Sequence, residues 1–286
     1  MVKDANIGKI IESTVSNLMK ELSGGKVRHK SRVMDNLIAF VGAAGGAGTS
    51  TIVANLAYTL NERGLTVLIL DLNILYPVQH VFFRLKQGID KKDLVSFLLG
   101  RSALGESIDS VGDISIMMAH NRNIMDYINC DNETCSKNLD AGIERLRELF
   151  DVILVDCPLN IHHDVINTVM YKADSIYVVW DENVACIGNM EKLRRNFSLS
   201  GIEAYSKVRV VMNKRTNVYY STAPFKTLKV DLVSTFPFEK AVIESGLNGE
   251  VFCQSGASKS ETADVFAKEM NKLADKVLEI GGYIGG

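Results

Sequence analysis

The chain lacks several features that would place it outside the ordinary globular proteins. It carries no marked excess of either charge, since its formal net charge is −2 over 286 residues. That balance gives no overall attraction to nucleic acid or to anionic lipid. No run of eighteen uninterrupted apolar residues occurs, and the N-terminus lacks the apolar core of a signal peptide. We therefore expect a cytoplasmic protein.

Cysteine is also scarce, and the spacing of the cysteines does not match that of a metal site. The five residues are scattered along the chain, at Cys130, Cys135, Cys157, Cys186 and Cys253. The first two could be ligands of a metal site, but the second pair that such a site needs is missing. We therefore interpret the cysteines as free thiols of a reducing cytosol.

Residues 1–32 form a first unit, which we predict to be an amphipathic helix and a basic linker. Apolar residues recur at the helical period at Ile7, Ile10, Ile11, Val15, Leu18, Met19 and Leu22. Gly24 and Gly25 end the pattern, and KVRHKSR (26–32) follows. The favoured interpretation is a helix packed on its own domain or on a second subunit. A helix on a membrane surface is the alternative.

Residues 33–286 form a second unit, in which apolar runs alternate with helical patterns and no low-complexity linker occurs. The runs that we predict as strands are 37–42, 66–72, 114–119, 151–156, 175–180, 208–213 and 230–236. Helical patterns include 50–62, 135–149, 185–197, 238–246 and 260–279. Because most strands are continuously apolar, both faces of their sheet should be covered. We therefore predict one α/β domain, a doubly wound and mostly parallel sheet with helices on both faces.

The stretch FVGAAGGAGTSTIVANLAYTL, which begins at Phe40, has the layout of a phosphate-binding loop. Its glycines allow backbone N–H groups to converge on phosphate oxygens, and the following helix adds its positive end. The loop lacks the usual lysine, because Thr49 stands in that place, and Ala43 stands in the place of the first glycine. We predict nucleotide contacts from Gly45, Gly46, Ala47, Gly48, Thr49, Ser50 and Thr51.

This loop resembles that of the MinD/ParA ATPases, in which the pattern is K-G-G-x-G-K-[ST]-[ST]. Aligned on AGGAGTST, Ala44 takes the place of the signature lysine and Thr49 that of the common one. The stretch GLTVLILDLNILYP (64–77) is similar to switch I of the family, where two aspartates occur. Asp71 matches the first aspartate and Asn73 replaces the second, so both are candidate switch I positions.

Further landmarks of the family follow in order along the chain. FDVILVDCP (150–158) resembles the Walker B strand, and Asp156 matches its carboxylate. The resemblance implies that ATP binds with Mg²⁺ held by Ser50, Asp71 and Asp156. VVMNK (210–214) matches the strand whose asparagine contacts adenine, here Asn213, and Pro237 matches a proline beside the base.

The sequence GGAGTST is most similar to the TadZ/CpaE branch, whose members help to position and assemble Flp pili. Many of them also carry an N-terminal receiver-like domain, whereas only about 30 residues precede the P-loop domain here. The resemblance implies a homodimer with pilus or secretion proteins as partners, possible membrane contact through the N-terminal helix or those partners, and a location at the membrane or cell pole. Since both lysines are replaced, we expect at most a weak ATPase.

The alternative is a ParA-like ATPase for the partition or conjugative transfer of DNA. Such a protein needs a hydrolytic cycle, and this chain replaces three residues of that cycle with Ala44, Thr49 and Asn73. The basic residues that could contact DNA are Lys192, Arg194, Arg195, Lys214 and Arg215. Because the overall charge is near zero, we interpret them as a solvated surface and do not expect DNA as a partner.

Overall fold

A computed structural model describes residues 35–86, 92–120, 124–159, 164–199, 206–216, 223–255 and 260–280. The predicted N-terminal helix and basic linker at 1–32 lie outside the described residues.

Eight strands form a single sheet in the order β3-β4-β2-β5-β1-β6-β7-β8. They are β1 Leu37–Gly42, β2 Val67–Asp71, β3 Asp109–Val111, β4 Ile114–Met117, β5 Val152–Cys157, β6 Ser175–Trp180, β7 Val208–Arg215 and β8 Asp231–Pro237. All neighbours are parallel except β3, which runs antiparallel to β4 at one edge. The predicted strands are confirmed within a few residues, whereas β3 was not predicted, because three residues are too short for a periodic signal.

The described residues include eleven α-helices. They are α1 Thr49–Glu62, α2 Gln79–Phe82, α3 Leu94–Leu98, α4 Ile124–Ile128, α5 Asn132–Leu149, α6 Asp164–Lys172, α7 Ala185–Leu199, α8 Ala223–Leu228, α9 Lys240–Leu247, α10 Phe252–Ser255 and α11 Glu261–Ile280. No helix of the described ranges is both long enough and apolar enough to cross a membrane.

The helices cover both faces of the sheet, as predicted. The alternation is visible in β1, where Leu37, Ala39 and Val41 pack into one buried cluster with residues of α5, α6 and α7. Ile38 and Phe40 point to the other face and pack with α1 and α11. Successive side chains of a strand point to opposite faces, so a strand that is covered on both sides must be apolar throughout. The fold is the predicted doubly wound α/β sheet.

The strand order places the loop after β1 at a point where the chain changes direction. After β1 the chain forms β2, β3 and β4 on one side of β1 and then returns to form β5 between β2 and β1. It continues with β6, β7 and β8 on the other side of β1. In open α/β sheets, ligands bind outside the carboxyl ends of the strands at such a point. The loops after β1, β2 and β5 therefore face one crevice.

Candidate nucleotide and magnesium site

The loop between β1 and α1 has the backbone conformation that its glycines predict. Gly46 and Gly48 have φ angles of 78° and 90°, which favour glycine. Gly48 precedes the first turn of α1, and that turn contains no acidic residue. The positive end of a helix of fourteen residues is therefore available to an anion at the loop.

Side chains from two other elements hold the carbonyl groups of this loop. Asn189 of α7 donates to the Ala43 carbonyl at 2.7 Å. Asn213 of β7, which is buried, donates to the Ala47 carbonyl at 2.9 Å. Since a trans peptide directs its C=O and N–H to opposite sides, this bond turns the N–H of Gly48 away from β7. The loop is thus held by contacts that are remote in sequence.

Lys214, the residue after Asn213, brings a positive charge to the loop. Its Nζ contacts the Gly46 carbonyl, and its stem lies against Gly48. Lys214 also has a φ angle of 55°, which few residues other than glycine adopt. Its ammonium therefore lies beside a loop whose residues 43–51 contain no lysine.

Ala44 and Thr49, which align with the two lysines of the MinD/ParA pattern, have different surroundings. Ala44 is buried and packs into the core on one face of the sheet. The Thr49 hydroxyl lies close to Gly42 of β1. A Cβ atom added at Gly42 would be only 2.9 Å from Thr49 Oγ1. A short side chain at Thr49 therefore packs against the strand instead of reaching along the loop.

The three predicted magnesium ligands come together at the carboxyl ends of β2 and β5. Asp71 and Asp156 are register partners on these neighbouring strands and are buried, with 0% and 2% exposure. The Ser50 hydroxyl hydrogen-bonds to Asp156. Burial raises the pKa of both carboxyls, and the repulsion from Asp156 raises the pKa of Asp71 further.

Asp71 is fixed by the backbone of the segment that follows β2. Its carboxylate accepts hydrogen bonds from the N–H groups of Asn73 at 3.0 Å, Val78 at 3.2 Å and Gln79 at 3.3 Å. The segment at 72–79 therefore wraps around this carboxylate. The Asn73 N–H is one of these donors, and the switch I role of both residues stays a prediction.

The oxygen ligands that Ser50, Asp71 and Asp156 supply fit a magnesium ion. Mg²⁺ prefers hard oxygen ligands and is usually held in proteins by one or two carboxylates together with substrate phosphates. Two buried carboxylates also repel each other unless a cation or a proton lies between them. Ser50, Asp71 and Asp156 supply such a set at the start of the helix whose positive end faces the loop.

The predicted base-binding residues lie on neighbouring strands at the same edge of the sheet. Asn213 is near the end of β7, and Pro237 ends β8, where it is the register partner of Arg215. The Asn213 side chain hydrogen-bonds to the Ala47 carbonyl of the phosphate-binding loop. Whether either residue contacts adenine stays a prediction.

Three contacts of this site were missed by sequence reasoning. Lys214 could have been found, because it follows Asn213 directly at the end of a predicted strand. Asn189 lies in the middle of a helix, and no pattern around it indicates a contact with the loop. Gln79, whose amide donates to Asp156 Oδ2 at 2.8 Å, lies eight residues after Asp71 with no motif between them.

A glycine-rich strand-to-helix loop beside a hydroxyl and two carboxylates defines the class of P-loop nucleotide-binding proteins. More narrowly, the chain belongs to the family of the AAA domain AAA_31, which matches residues 35–207. Its fold is that of the MinD and ParA ATPases.

Individual relatives agree with this assignment. The chain is 26% identical over 250 residues to an uncharacterized ATP-binding protein of Methanocaldococcus jannaschii, covering 85% of this chain and 86% of that one. The septum site-determining protein MinD of Pyrococcus horikoshii, solved in complex with Mg-ADP, superimposes with a TM-score of 0.71 at 21% identity, covering 87% of this chain and 98% of that one. A ParA family ATPase from Chlorobium tepidum gives a TM-score of 0.69 at 21% identity, with 86% and 98% covered.

Proposed function

We propose that the protein is an ATP–Mg²⁺-binding positioning and assembly factor of the TadZ/CpaE type, which serves a pilus or secretion machine and hydrolyses ATP weakly or not at all. One observation carries this proposal. The glycine backbone of the loop and the Ser50, Asp71 and Asp156 oxygen ligands are present, whereas Ala44, Thr49 and Asn73 stand where the MinD/ParA pattern has the groups for turnover.

Binding is supported by groups that do not depend on the missing lysines. Gly48 begins α1 with a left-handed backbone, and the Asn213 bond holds the preceding peptide in place. A lost charge-assisted contact costs on the order of 1.5–3 kcal/mol, or roughly ten- to a hundredfold in affinity. Micromolar to sub-millimolar affinity for ATP would remain, and Lys214 adds a positive charge beside the loop.

Weak turnover follows from what the loop lacks. Phosphoryl transfer depends on positioning and on charges that stabilise the transition state. When bound, Mg²⁺ neutralises part of the charge that develops on the phosphates. Ala44 and Thr49 contribute no charge of their own, and Asn73 cannot accept a proton from an attacking water. Nucleotide would thus act as a ligand that favours one assembly state.

A homodimer is the assembly state that we propose. Exposed apolar side chains follow β2 and β5 at the edge where the site lies. They are Leu75 at 47%, Tyr76 at 78% and Leu159 at 48% exposure. Large apolar side chains that are exposed beside a binding site are typical of interaction faces. A second subunit that covers this edge would bury them when nucleotide is bound.

The remaining parts of the proposal concern place and partners. We propose that the protein is cytoplasmic and is recruited to the membrane or cell pole, either by its partners or by residues 1–32 acting as a separate unit. Deleting residues 1–25 should lower the melting temperature or the oligomer mass if the segment packs on protein. If only liposome binding is lost, the segment contacts the membrane.

The decisive experiment combines calorimetry with a steady-state phosphate-release assay. The purified protein should bind ATP in the presence of Mg²⁺, and its turnover should be barely detectable. Absence of binding heat at millimolar ATP, together with an unchanged melting temperature, would refute the proposal. Turnover comparable to that of an active family member, abolished by Ser50→Ala, would show that another residue supplies the missing charge.

Restoring the family residues tests the cause of the weak turnover. Thr49→Lys should tighten ATP binding and leave turnover low, because Asn73 cannot replace a carboxylate. Adding Ala44→Lys and Asn73→Asp should raise hydrolysis well above that of Thr49→Lys alone. Because Ala44 is buried, the melting temperature of the triple variant must be measured first. If DNA stimulates the turnover of the native protein, the partition or conjugation alternative is correct.

A further inference from the structure

Gln79 contacts every residue that we assign to the magnesium site. Its Nε2 donates to Asp156 Oδ2 at 2.8 Å and to the Ser50 carbonyl at 3.2 Å. Its backbone N–H donates to Asp71 Oδ2 at 3.3 Å. The side chain belongs to the first residue of α2 and is completely buried. One residue thus joins the start of α1 to the ends of β2 and β5.

A purely structural role would leave half of this side chain unexplained. The amide nitrogen has two acceptors, but Oε1 is buried and accepts no hydrogen bond from the part of the chain that the structure describes. Buried polar atoms in native proteins are almost always satisfied, and an exception calls for an explanation. A carbonyl oxygen can be satisfied only by a donor or by a cation.

We propose that Gln79 is a positioning residue of the magnesium site, which holds Asp156 with its amide nitrogen and offers its Oε1 to a water of the hydrated cation. This inference rests on the proposed function. Magnesium keeps several of its waters in proteins, so a buried neutral acceptor beside two carboxylates suits its outer shell. A second role follows from the chain path, because Gln79 ends the segment that wraps Asp71. A cation at the site would therefore further restrain residues 72–79, whose backbone already binds Asp71 and which carry the exposed Leu75 and Tyr76.

Two substitutions at this position should move the metal response in opposite directions. Gln79→Met keeps the length of the side chain and removes both polar atoms. Gln79→Glu keeps an acceptor and adds a third carboxylate. Gln254→Met, at an exposed position of α10, is the matched control. Each protein is titrated with ATP by calorimetry, once with Mg²⁺ and once with EDTA, and its melting temperature is recorded with and without Mg²⁺.

For Gln79→Met, the gain in ATP affinity that Mg²⁺ provides should fall roughly ten- to a hundredfold, since removing an outer-shell partner of a metal has effects of this size. Affinity in EDTA should fall much less, because the only change at the loop is the loss of the hydrogen bond to the Ser50 carbonyl. For Gln79→Glu, Mg²⁺ should raise the melting temperature more than in the native protein, because the cation neutralises an extra carboxylate. The Gln254→Met control should match the native protein in every reading.

Several outcomes would overturn the inference. If Gln79→Met retains the full gain from Mg²⁺, the residue does not serve the metal. If both Gln79 variants lose stability equally while their Mg²⁺ responses match the native one, the role is structural. Failure of the native protein to bind ATP refutes the proposed function itself, and the two failures are therefore distinguishable. Hydrogen exchange of residues 72–79 provides a separate check, because protection by ATP with Mg²⁺ should be weaker in Gln79→Met.

Discussion

The conformation of the phosphate loop can be tested by adding a single methyl group at Gly48. Gly48 has a φ angle of 90°, and a Cβ added there would lie 2.4 Å from Asn213 Nδ2. A side chain in the left-handed region costs about 1–2 kcal/mol. Displacing Asn213 also breaks its bond to the Ala47 carbonyl, which contributes about 0.5–1.5 kcal/mol, and leaves a buried amide unsatisfied. We therefore expect Gly48→Ala to destabilise the protein by about 2–4 kcal/mol.

Two neighbouring glycines separate the cost of the left-handed backbone from the cost of displacing Asn213. A Cβ at Gly46 would meet nothing within 4 Å, but its φ of 78° carries the same conformational penalty. Gly46→Ala should therefore cost only about 1–2 kcal/mol. Gly45 has open space and no left-handed φ, so Gly45→Ala should change stability by less than about 0.5 kcal/mol. Urea unfolding of the three variants, measured without nucleotide, gives the free energies of unfolding.

A double variant tests the contact itself. If the new methyl group acts through Asn213, then Gly48→Ala and Asn213→Ala should be non-additive, and their combination should cost less than the sum of the two. The reasoning is refuted if Gly48→Ala is no more destabilising than Gly46→Ala. It is also refuted if the double variant is strictly additive, because the methyl group would then act without Asn213.

Three further predictions concern charge. Because the pKa of the buried Asp71 carboxyl is raised, this group retains a proton above its ordinary pH range in the metal-free fold, and Mg²⁺ must displace that proton. Calorimetry should therefore show the affinity for ATP with Mg²⁺ rising from about pH 6 to about pH 8. An affinity that falls over this pH range would contradict the argument from burial. Lys214→Met should weaken ATP binding about five- to thirtyfold through the loss of a charge beside the loop, whereas Lys192→Met, an exposed control on α7, should have no effect in the same titration. Arg147→Met should lower the free energy of unfolding by about 2–3 kcal/mol, because its ion pair with Asp174 at 2.6 Å is largely buried and that carboxylate would keep, among the described residues, only its hydrogen bond from the Leu37 N–H. A change below about 0.5 kcal/mol in urea unfolding would show that solvent screens the pair.

Local patterns in the sequence determined the architecture and the position of the site. Continuous apolar runs mark strands that are covered on both faces, and each predicted strand was found within a few residues of its place. The glycines of the loop and the helical pattern after Ser50 likewise predict a phosphate-binding loop, and the structure has a glycine-rich loop between β1 and α1 at that place. These features depend on residues that are close in sequence and belong to one helix, strand or loop, so they can be predicted without knowledge of the tertiary structure. The short strand β3 carries no such local signal, since its pairing with β4 decides its conformation.

Only the tertiary structure decided which side chains meet at the site. Asp71 and Asp156 lie opposite each other because β2 and β5 are neighbours in the sheet although 85 residues separate them in the chain. Lys214 reaches the loop from a strand whose register with β6 no local pattern specifies. Gln79 turns towards Asp71 and Asp156 because backbone N–H groups of the segment after β2 bind Asp71 and draw that segment inward. A sequence determines the conformation of each element through local sterics and hydrophobic period, whereas contacts across the sheet depend on strand order and register, which many distant residues set together.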